Sequence, residues 1–471
     1  MKTAHLRLAG AARPLGAFTR LYGNDTYAFL CESLGQAGRS RYSFFGGRPS
    51  LIHRSGPSGI TIEEPLRDAR REDPRDLIES LRATLAACPS FKEVAPFSSG
   101  LVGYLGYDVV RRFEALPEAP PDPEGLPDSI LMSPTEVIVV DHHEEATDIV
   151  VHAPTESAAS ARLDILASVL GERLPEAEAP GGPASSTGSV LLSEYTRRPD
   201  FEAGVLRLLD HIRAGDIFQA VLSQRFVAPL RATPLDLYGL LRVTNPAPYM
   251  YFLKLGRDHA VLGSSPEILV SLDEGRALTR PLAGTRPRGT SPTQDALNER
   301  ELLADEKERA EHVMLVDLAR NDLGRVCEYG SVRVTRAFEI ERHARVMHIV
   351  SEVEGRLRAQ HDAFDLMRAC FPAGTVTGAP KIRAMQLLGE LEPVRRGLYG
   401  GAIGYFDPAG RMDLCLAIRT LVAHEGRVLL QAGAGVVSDS DPSREYEETR
   451  HKAAALVAAL EAAEALAEGR L

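Results

Sequence analysis

The chain has 471 residues, a formal net charge of −11 at pH 7, 44% hydrophobic and 25% charged residues, and no tryptophan. That balance belongs to a globular protein with ample material for a core, and it excludes disorder and collagen-like repeats. An acidic chain also lacks the basic face that marks nucleic-acid binders, so no nucleic-acid partner is expected. Cys31, Cys88, Cys327, Cys370 and Cys415 are an odd, widely spaced set without a C-x-x-C pair. Neither a disulfide framework nor a zinc site is expected from them. No apolar run of about 18 residues occurs and the N-terminus lacks a signal-peptide h-region, so a cytoplasmic protein without a membrane span is expected.

Short strand-like runs come first (YAFLCES, SLIHR, GLVGYLGYD, EVIVVDHH, DIVVHA), mixed with helical stretches such as DPRDLIESLRATLAACP. Residues 174–188, LPEAEAPGGPASSTG, are small, acidic or turn-forming. They divide the chain into an N-terminal domain over 1–173, a linker or exposed loop over 174–190, and a second domain over 191–471. Beyond the linker, YTRRPDFEAGVLRLLDHIRAGDIFQAVLSQRF reads as helix, glycine turn and strand. YMYFLKLG and HAVLGSSPEILVSL alternate with period two and read as paired strands. Apolar residues at helical spacing predict one long helix from about Gln294 to Leu323. GGAIGYFD, DLCLAIRTLVAH and RVLLQAGAGVVS read as strands. An alanine-rich helix then starts at Pro442, capped by Asp441 or Ser443. Strands and helices mix without regular βαβ alternation, which predicts an α+β fold.

Two stretches hold carboxylate pairs. Glu308 and Glu311 lie in DEKERAEHVMLVDLARND, and Glu445 and Glu448 in REYEETRHK. Each pair is three residues apart and so shares one helix face. Together they could converge on magnesium, a hard cation that takes one or two protein carboxylates and keeps several waters. Solvated faces balanced by nearby Lys and Arg are the plainer reading. PLAGTRPRG, FPAGTVTGAPK and QAGAGVVSD read as glycine-rich turns, either anion-binding or merely tight. None has P-loop or dinucleotide-binding spacing. Arg419, placed at the end of the strand DLCLAIRT, could pair with a carboxylate. Glu267, after SSP, is either a buried general acid or an exposed turn residue. His348, in RVMHIVSEVEG, is either a satisfied core histidine or a catalytic one.

In chain order, GDIFQAVLSQRF, NPAPYMYF, GSSPEILV, RPLAGTRPRG, DEKERAEHVMLVDLARNDLGRV, FPAGTVTGAPKIRAM, LYGGAIGYF, AIRT, QAGAGVVSDSDP and EYEETRHKA carry a collective signal. They resemble the motifs of the chorismate-utilising enzymes, most closely the branch of anthranilate synthase large subunits. The resemblance is dense over 191–460 and thinner before it, in FLCESLG and RSRYSFFGG. It implies two large antiparallel sheets packed as a sandwich with helices outside. It also implies an N-terminal regulatory and partner-contact domain and a chorismate-binding catalytic domain. Mg²⁺ would sit on Glu311 and Glu448, with Glu308 and Glu445 as a water-bridged second pair. Substrate would lie against Gly284, Thr285, Tyr399, Arg419, Gly433, Ala434, Gly435 and Lys452. Glu267 would protonate the departing C4 hydroxyl, and His348 would stand beside the ring.

Chemistry within that family narrows the expected product. Relatives that add water have a lysine base where this chain has Gln219, and an amide accepts no proton at neutral pH. Ammonia is a nucleophile already in its neutral form. Relatives that make aminodeoxychorismate commonly have a nucleophilic lysine where this chain has Ala283. The expected reaction is ammonia attack at C2, loss of the C4 hydroxyl and elimination of pyruvate to give anthranilate; aminodeoxychorismate synthesis is the alternative. The chain has no glutaminase nucleophile motif, so ammonia would come from a glutamine amidotransferase small subunit, in a heterotetramer, or from solution. The resemblance also implies feedback inhibition by tryptophan, held between Ser33 of LCES and Pro248, Tyr249 and Met250, with Cys31 in place of a usual leucine. An enzyme that opens tryptophan synthesis and itself contains none can be translated when that amino acid is scarce.

Overall fold

The computed structural model describes residues 1–34, 41–172, 190–342 and 346–469; apart from residue 190, the expected linker lies outside the described residues. One antiparallel sheet runs through Lys2–Ala9, Ala146–Ala153, Ser129–Asp141, Tyr42–Gly56 and Tyr27–Glu32. It continues through Tyr249–Gly256, His259–Ser265, Thr420–His424, Arg427–Val436 and Gln219–Pro229. A second antiparallel sheet starts from Ala69–Asp73 and Gly59–Glu64. It passes through Leu101–Leu105, Ala402–Phe406, Met412–Leu416, Ile268–Asp273, Arg276–Thr279 and Val346–Arg356. The last of these also pairs with Leu282–Pro287 and Arg333–Arg342.

Two long strands belong to both sheets. Tyr42–Gly56 pairs with Tyr27–Glu32 through residues 43–47 and with Gly59–Glu64 through residues 52–56. Ser129–Asp141 pairs with Leu101–Leu105 through residues 129–132 and with Ala146–Ala153 through residues 136–141. The register of the first shifts between Pro49 and Leu51, next to Arg48 at φ 51°. Proline has no N–H to give the ladder, so the shift falls where pairing is already interrupted.

Period-two alternation sorts the side chains between layers. Phe29 faces inward, where Val139, Tyr251 and Val261 of the first sheet meet Val102, Tyr104, Ile403 and Tyr405 of the second. Ala28 and Leu30 face outward, under helices Pro14–Tyr22, Glu156–Gly171, Pro234–Thr244 and Pro442–Ala467. Helices Leu77–Ala86, Glu306–Gly324 and Ala363–Cys370 cover the outer face of the second sheet. This is the α+β fold that the sequence pattern predicts, arranged as the sandwich with outer helices that the resemblance implies. Tyr249–Gly256 pairs with Tyr27–Glu32, and Ala402–Phe406 with Leu101–Leu105. Both halves of the sequence therefore share both sheets.

The helix expected from Gln294 to Leu323 is two helices, Pro292–Ala304 and Glu306–Gly324. Asp305 separates them. At φ −70°, ψ 110° it leaves helical space, and its carboxylate accepts the N–H groups of Lys307 and Glu308 as an N-cap. The C-terminal helix starts at Pro442 with Asp441 as its cap, accepting the Arg444 N–H. Ala453, Leu456, Ala459, Leu460 and Ala463 form its buried stripe. All five cysteines are free thiols. Among the described residues no helix is long and apolar enough to cross a membrane.

Candidate active site

Glu267 sits in the gap between strands His259–Ser265 and Ile268–Asp273, beside Pro266, and is only 8% exposed. The exposed-turn alternative is therefore ruled out. Thr375, in the turn Gly374–Val376, donates its hydroxyl to Glu267 Oε1 at 2.8 Å. Burial pushes the Glu267 carboxyl up to about 7, while the Thr375 donor and the charges of Arg419 and Lys452 restrain the rise. A carboxylic acid poised near neutrality is what general-acid chemistry needs.

The two carboxylate pairs lie on helices Glu306–Gly324 and Pro442–Ala467. Gln219 donates its Nε2 to Glu311 Oε1 at 3.0 Å. Burial raises the Glu311 pKa, with Gln219 opposing and the neighbouring Glu308 charge adding to the rise. Glu308 accepts from Arg286 at 2.9 Å. His312, next to Glu311 and fully buried, bonds Ser351 Oγ at 2.6 Å, which fastens this helix to the strand that carries His348. Burial pushes His312 down to about 4, so its ring is neutral. On the other helix, burial and then Glu448 raise the Glu445 pKa, against the Ser440 hydroxyl, Lys452 and Lys307. Lys452 pairs with Glu448 at 2.7 Å and donates to the Gly433 carbonyl at 2.9 Å. Its charge acts on Glu267, Glu311 and Glu445, so Glu267 and both helices share the influence of one ammonium.

Among the described residues no three His, Cys, Asp or Glu side chains form a ready metal-ligand set. Magnesium does not require one, because it takes one or two carboxylates and completes its shell with water and substrate. Solvated faces do not explain Glu311 and Glu445, whose carboxyls are partly desolvated and press on like charges. Hard oxygen donors under like-charge strain fit a divalent cation, and the donor set is suited to Mg²⁺.

FPAGTVTGAPK holds the turn Gly374–Val376, but the other two glycine segments run in strands. Gly433, Ala434 and Gly435 lie inside strand Arg427–Val436, opposite Ser223, Leu222 and Val221. A Cβ on Gly433 would stand 2.7 Å from Tyr399 Oη, and one on Gly435 3.0 Å from Gln219 Nε2. Close packing, not a turn, demands glycine here. Gly284 and Thr285 also lie in a strand, Leu282–Pro287, at a bulge between Ala283 and Thr285 where Gly284 has φ +66°. His348 pairs opposite Thr285, with Nδ1 3.0 Å from the Gly284 carbonyl and 3.1 Å from Thr285 Oγ1. A carbonyl only accepts, so Nδ1 carries a proton. Arg419 is not at a strand end: it sits in the bend between Met412–Leu416 and Thr420–His424, at φ 49°. Its guanidinium has no hydrogen-bond partner among the described residues, and burial lowers its pKa against the pull of Glu267.

Ser33 follows strand Tyr27–Glu32, where Glu32 faces Met250, and Leu34 N–H donates to the Ala247 carbonyl at 3.0 Å. Ser33, Pro248, Tyr249 and Met250 are thus neighbours. Met250 is 1% exposed and packs in the core under the outer helices. Tyr249 donates to Asp413 at 3.1 Å, and Pro248 and Tyr249 line a small cavity with Pro266, Ile268, Arg280 and Glu341. Thr375, Arg286 and His312 had no role in the sequence reading. Thr375 and Arg286 lie in quoted motifs, but their partners are 108 and 22 residues away in sequence.

Residues 46–458 match the chorismate binding enzyme family. Anthranilate synthase component 1 of Mycolicibacterium smegmatis is 45% identical over 98% of this chain and 91% of that protein. Anthranilate synthase component I from Streptococcus pneumoniae superposes with a TM-score of 0.79 at 36% identity, covering 94% of this chain and 96% of that one. The menaquinone-specific isochorismate synthase from Escherichia coli shares the fold, with a TM-score of 0.70 at 18% identity over 98% and 95% of the two chains.

Proposed function

This chain belongs to the chorismate binding enzymes, and from that premise we propose that it converts chorismate and ammonia into anthranilate, pyruvate and water. The observation that carries the aminating reading is Gln219, whose amide donates to Glu311 where a water-adding relative needs a lysine base. In the first step the C2–N bond forms as the C4–O bond breaks. Glu267 gives its proton to the departing hydroxyl, which leaves as water, and the carboxylate recovers a proton from the new ammonium. In the second step the C2 proton leaves, the C3–O bond breaks, and the side chain departs as enolpyruvate, which takes up a proton on its methylene carbon to become pyruvate and leaves an aromatic ring. His348 Nε2 is the group we assign to that proton, with Gly284 and Thr285 holding the other nitrogen.

Arg419 takes one substrate carboxylate as a two-pronged donor, and Tyr399, Lys452 and the glycine strand close around the substrate. Glu311 and Glu448 would hold Mg²⁺, with Glu308 and Glu445 bridged through water. When bound, the ion screens the ring carboxylate from these glutamates. Ammonia would be supplied by a glutamine amidotransferase subunit in a cytoplasmic heterotetramer. Tryptophan would inhibit through Ser33, Pro248, Tyr249 and Met250.

The test is purified chain with chorismate, Mg²⁺ and ammonium, read by anthranilate fluorescence and pyruvate release. Equal amounts of both are expected. An aminated product without pyruvate makes the chain an aminodeoxychorismate synthase, and isochorismate overturns the aminating reading. Added tryptophan should slow turnover and raise the melting temperature; no change in either removes the regulatory assignment.

A further inference from the structure

Arg396 lies just beyond helix Lys381–Leu391, and its side chain is 1% exposed. Its guanidinium makes four hydrogen bonds. Nε and Nη2 grip Glu392 at 2.7 Å each, Nη2 also reaches the Val221 carbonyl at 2.6 Å, and Nη1 reaches the Val376 carbonyl at 2.6 Å. Tyr107 and Tyr399 present their rings to the same guanidinium, 4.6 and 5.6 Å from its carbon. Glu392 Oε1 in turn accepts from the Ser223 N–H at 2.9 Å and the Ser223 hydroxyl at 2.6 Å.

Each anchor adjoins a group of the site. Val376 follows Thr375, the donor to Glu267. Val221 is two residues from Gln219, the donor to Glu311. Ser223 faces Gly433 across the sheet, and Tyr399 packs on that glycine. Tyr107 brings in the N-terminal half of the sequence. Stability alone does not call for such a pair, because well-packed apolar residues of similar volume usually serve as well. We infer that the Glu392–Arg396 pair is a positioning device for the reaction, one buried guanidinium that fixes Thr375, Gln219 and Tyr399 relative to one another. The inference rests on the reading of this site as a reaction centre.

The test compares wild type with the double variant Glu392→Met, Arg396→Met, which keeps the volume and removes both charges together. Its kcat should fall about 30-fold, more than its KM rises. Losing the Thr375 donor should raise the apparent pKa of the Glu267 limb in the kcat–pH profile, since that hydrogen bond lowers it. Arg419, Lys452 and Tyr399 also face Glu267, and Asp322 lines the same cavity; none of these is itself substituted. Amide exchange should quicken together over residues 219–221, 374–377 and 397–400, but not in the remote strand Lys2–Ala9. Arg396→Lys keeps the charge on Glu392 yet cannot span both carbonyls, and should show the same exchange pattern with a smaller loss of kcat. It also serves if the double variant does not fold. A folded variant with unchanged kcat and pH limb, or exchange that rises evenly over the whole chain, overturns the inference. Absence of wild-type turnover would instead overturn the proposed function, and the exchange pattern would still decide whether the tether exists.

Discussion

Helices Glu306–Gly324 and Pro442–Ala467 each bring two glutamates, three residues apart, to the site. In each pair one carboxylate is ion-paired: Glu308 with Arg286 at 2.9 Å, and Glu448 with Lys452 at 2.7 Å. The other, Glu311 or Glu445, has no ion pair among the described residues and holds its proton more tightly than usual, chiefly through burial. The two cations differ in kind. Arg286 comes from strand Leu282–Pro287 and also binds the cap Asp305 at 2.8 Å, so it is tied to the helix start. Lys452 rides on the second helix itself, and its charge reaches Glu267, Glu311 and Glu445. Equal spacing in sequence thus yields unequal duties.

The sharpest way to break this comparison is within the first helix. Glu311→Gln should lower kcat roughly 10²–10³-fold, the scale of losing an electrostatic stabiliser, and Glu308→Gln by less than about tenfold. Equal losses in steady-state assays would erase the distinction between paired and unpaired carboxylates. Lys452→Met should next cost about 10–100-fold in kcat/KM, against a few-fold for Arg286→Met. The reverse order would make Arg286 the central cation. The smallest effect concerns the caps. Asp305→Ala and Asp441→Ala should each lose about 1 kcal/mol in urea unfolding, with Asp305 the costlier because it also holds Arg286.

Much of this was legible along the chain, because the carboxylate spacing and the Asp441 cap are local features. Although RVLLQAGAGVVS also read as a strand, two of the three glycine segments were read as turns because glycine ordinarily marks them. At Gly433 and Gly435 it instead admits Tyr399 and Gln219, neighbours that no local pattern reveals. The apolar spacing runs through Asp305, so periodicity alone joined two helices that the cap divides. The Glu392–Arg396 spacing is visible in sequence, but charged residues past a helix end read as solvated, and only the fold shows Val221 and Val376 closing over them. The sharing of both sheets by strand Tyr42–Gly56 is likewise a matter of distant pairing partners.

The pH dependence of kcat, measured at constant free ammonia for wild type and Glu267→Gln, bears most directly on the chemistry. Burial puts Glu267 at about 7, and the protonated form is the acid, so its contribution is full below that value and lost as pH rises through it. Wild-type turnover should decline above about pH 7, and Glu267→Gln should run roughly 10²–10⁴-fold slower with that limb gone. A variant that keeps near-normal turnover, or slows yet retains the same limb, would contradict the assignment of Glu267 as the acid.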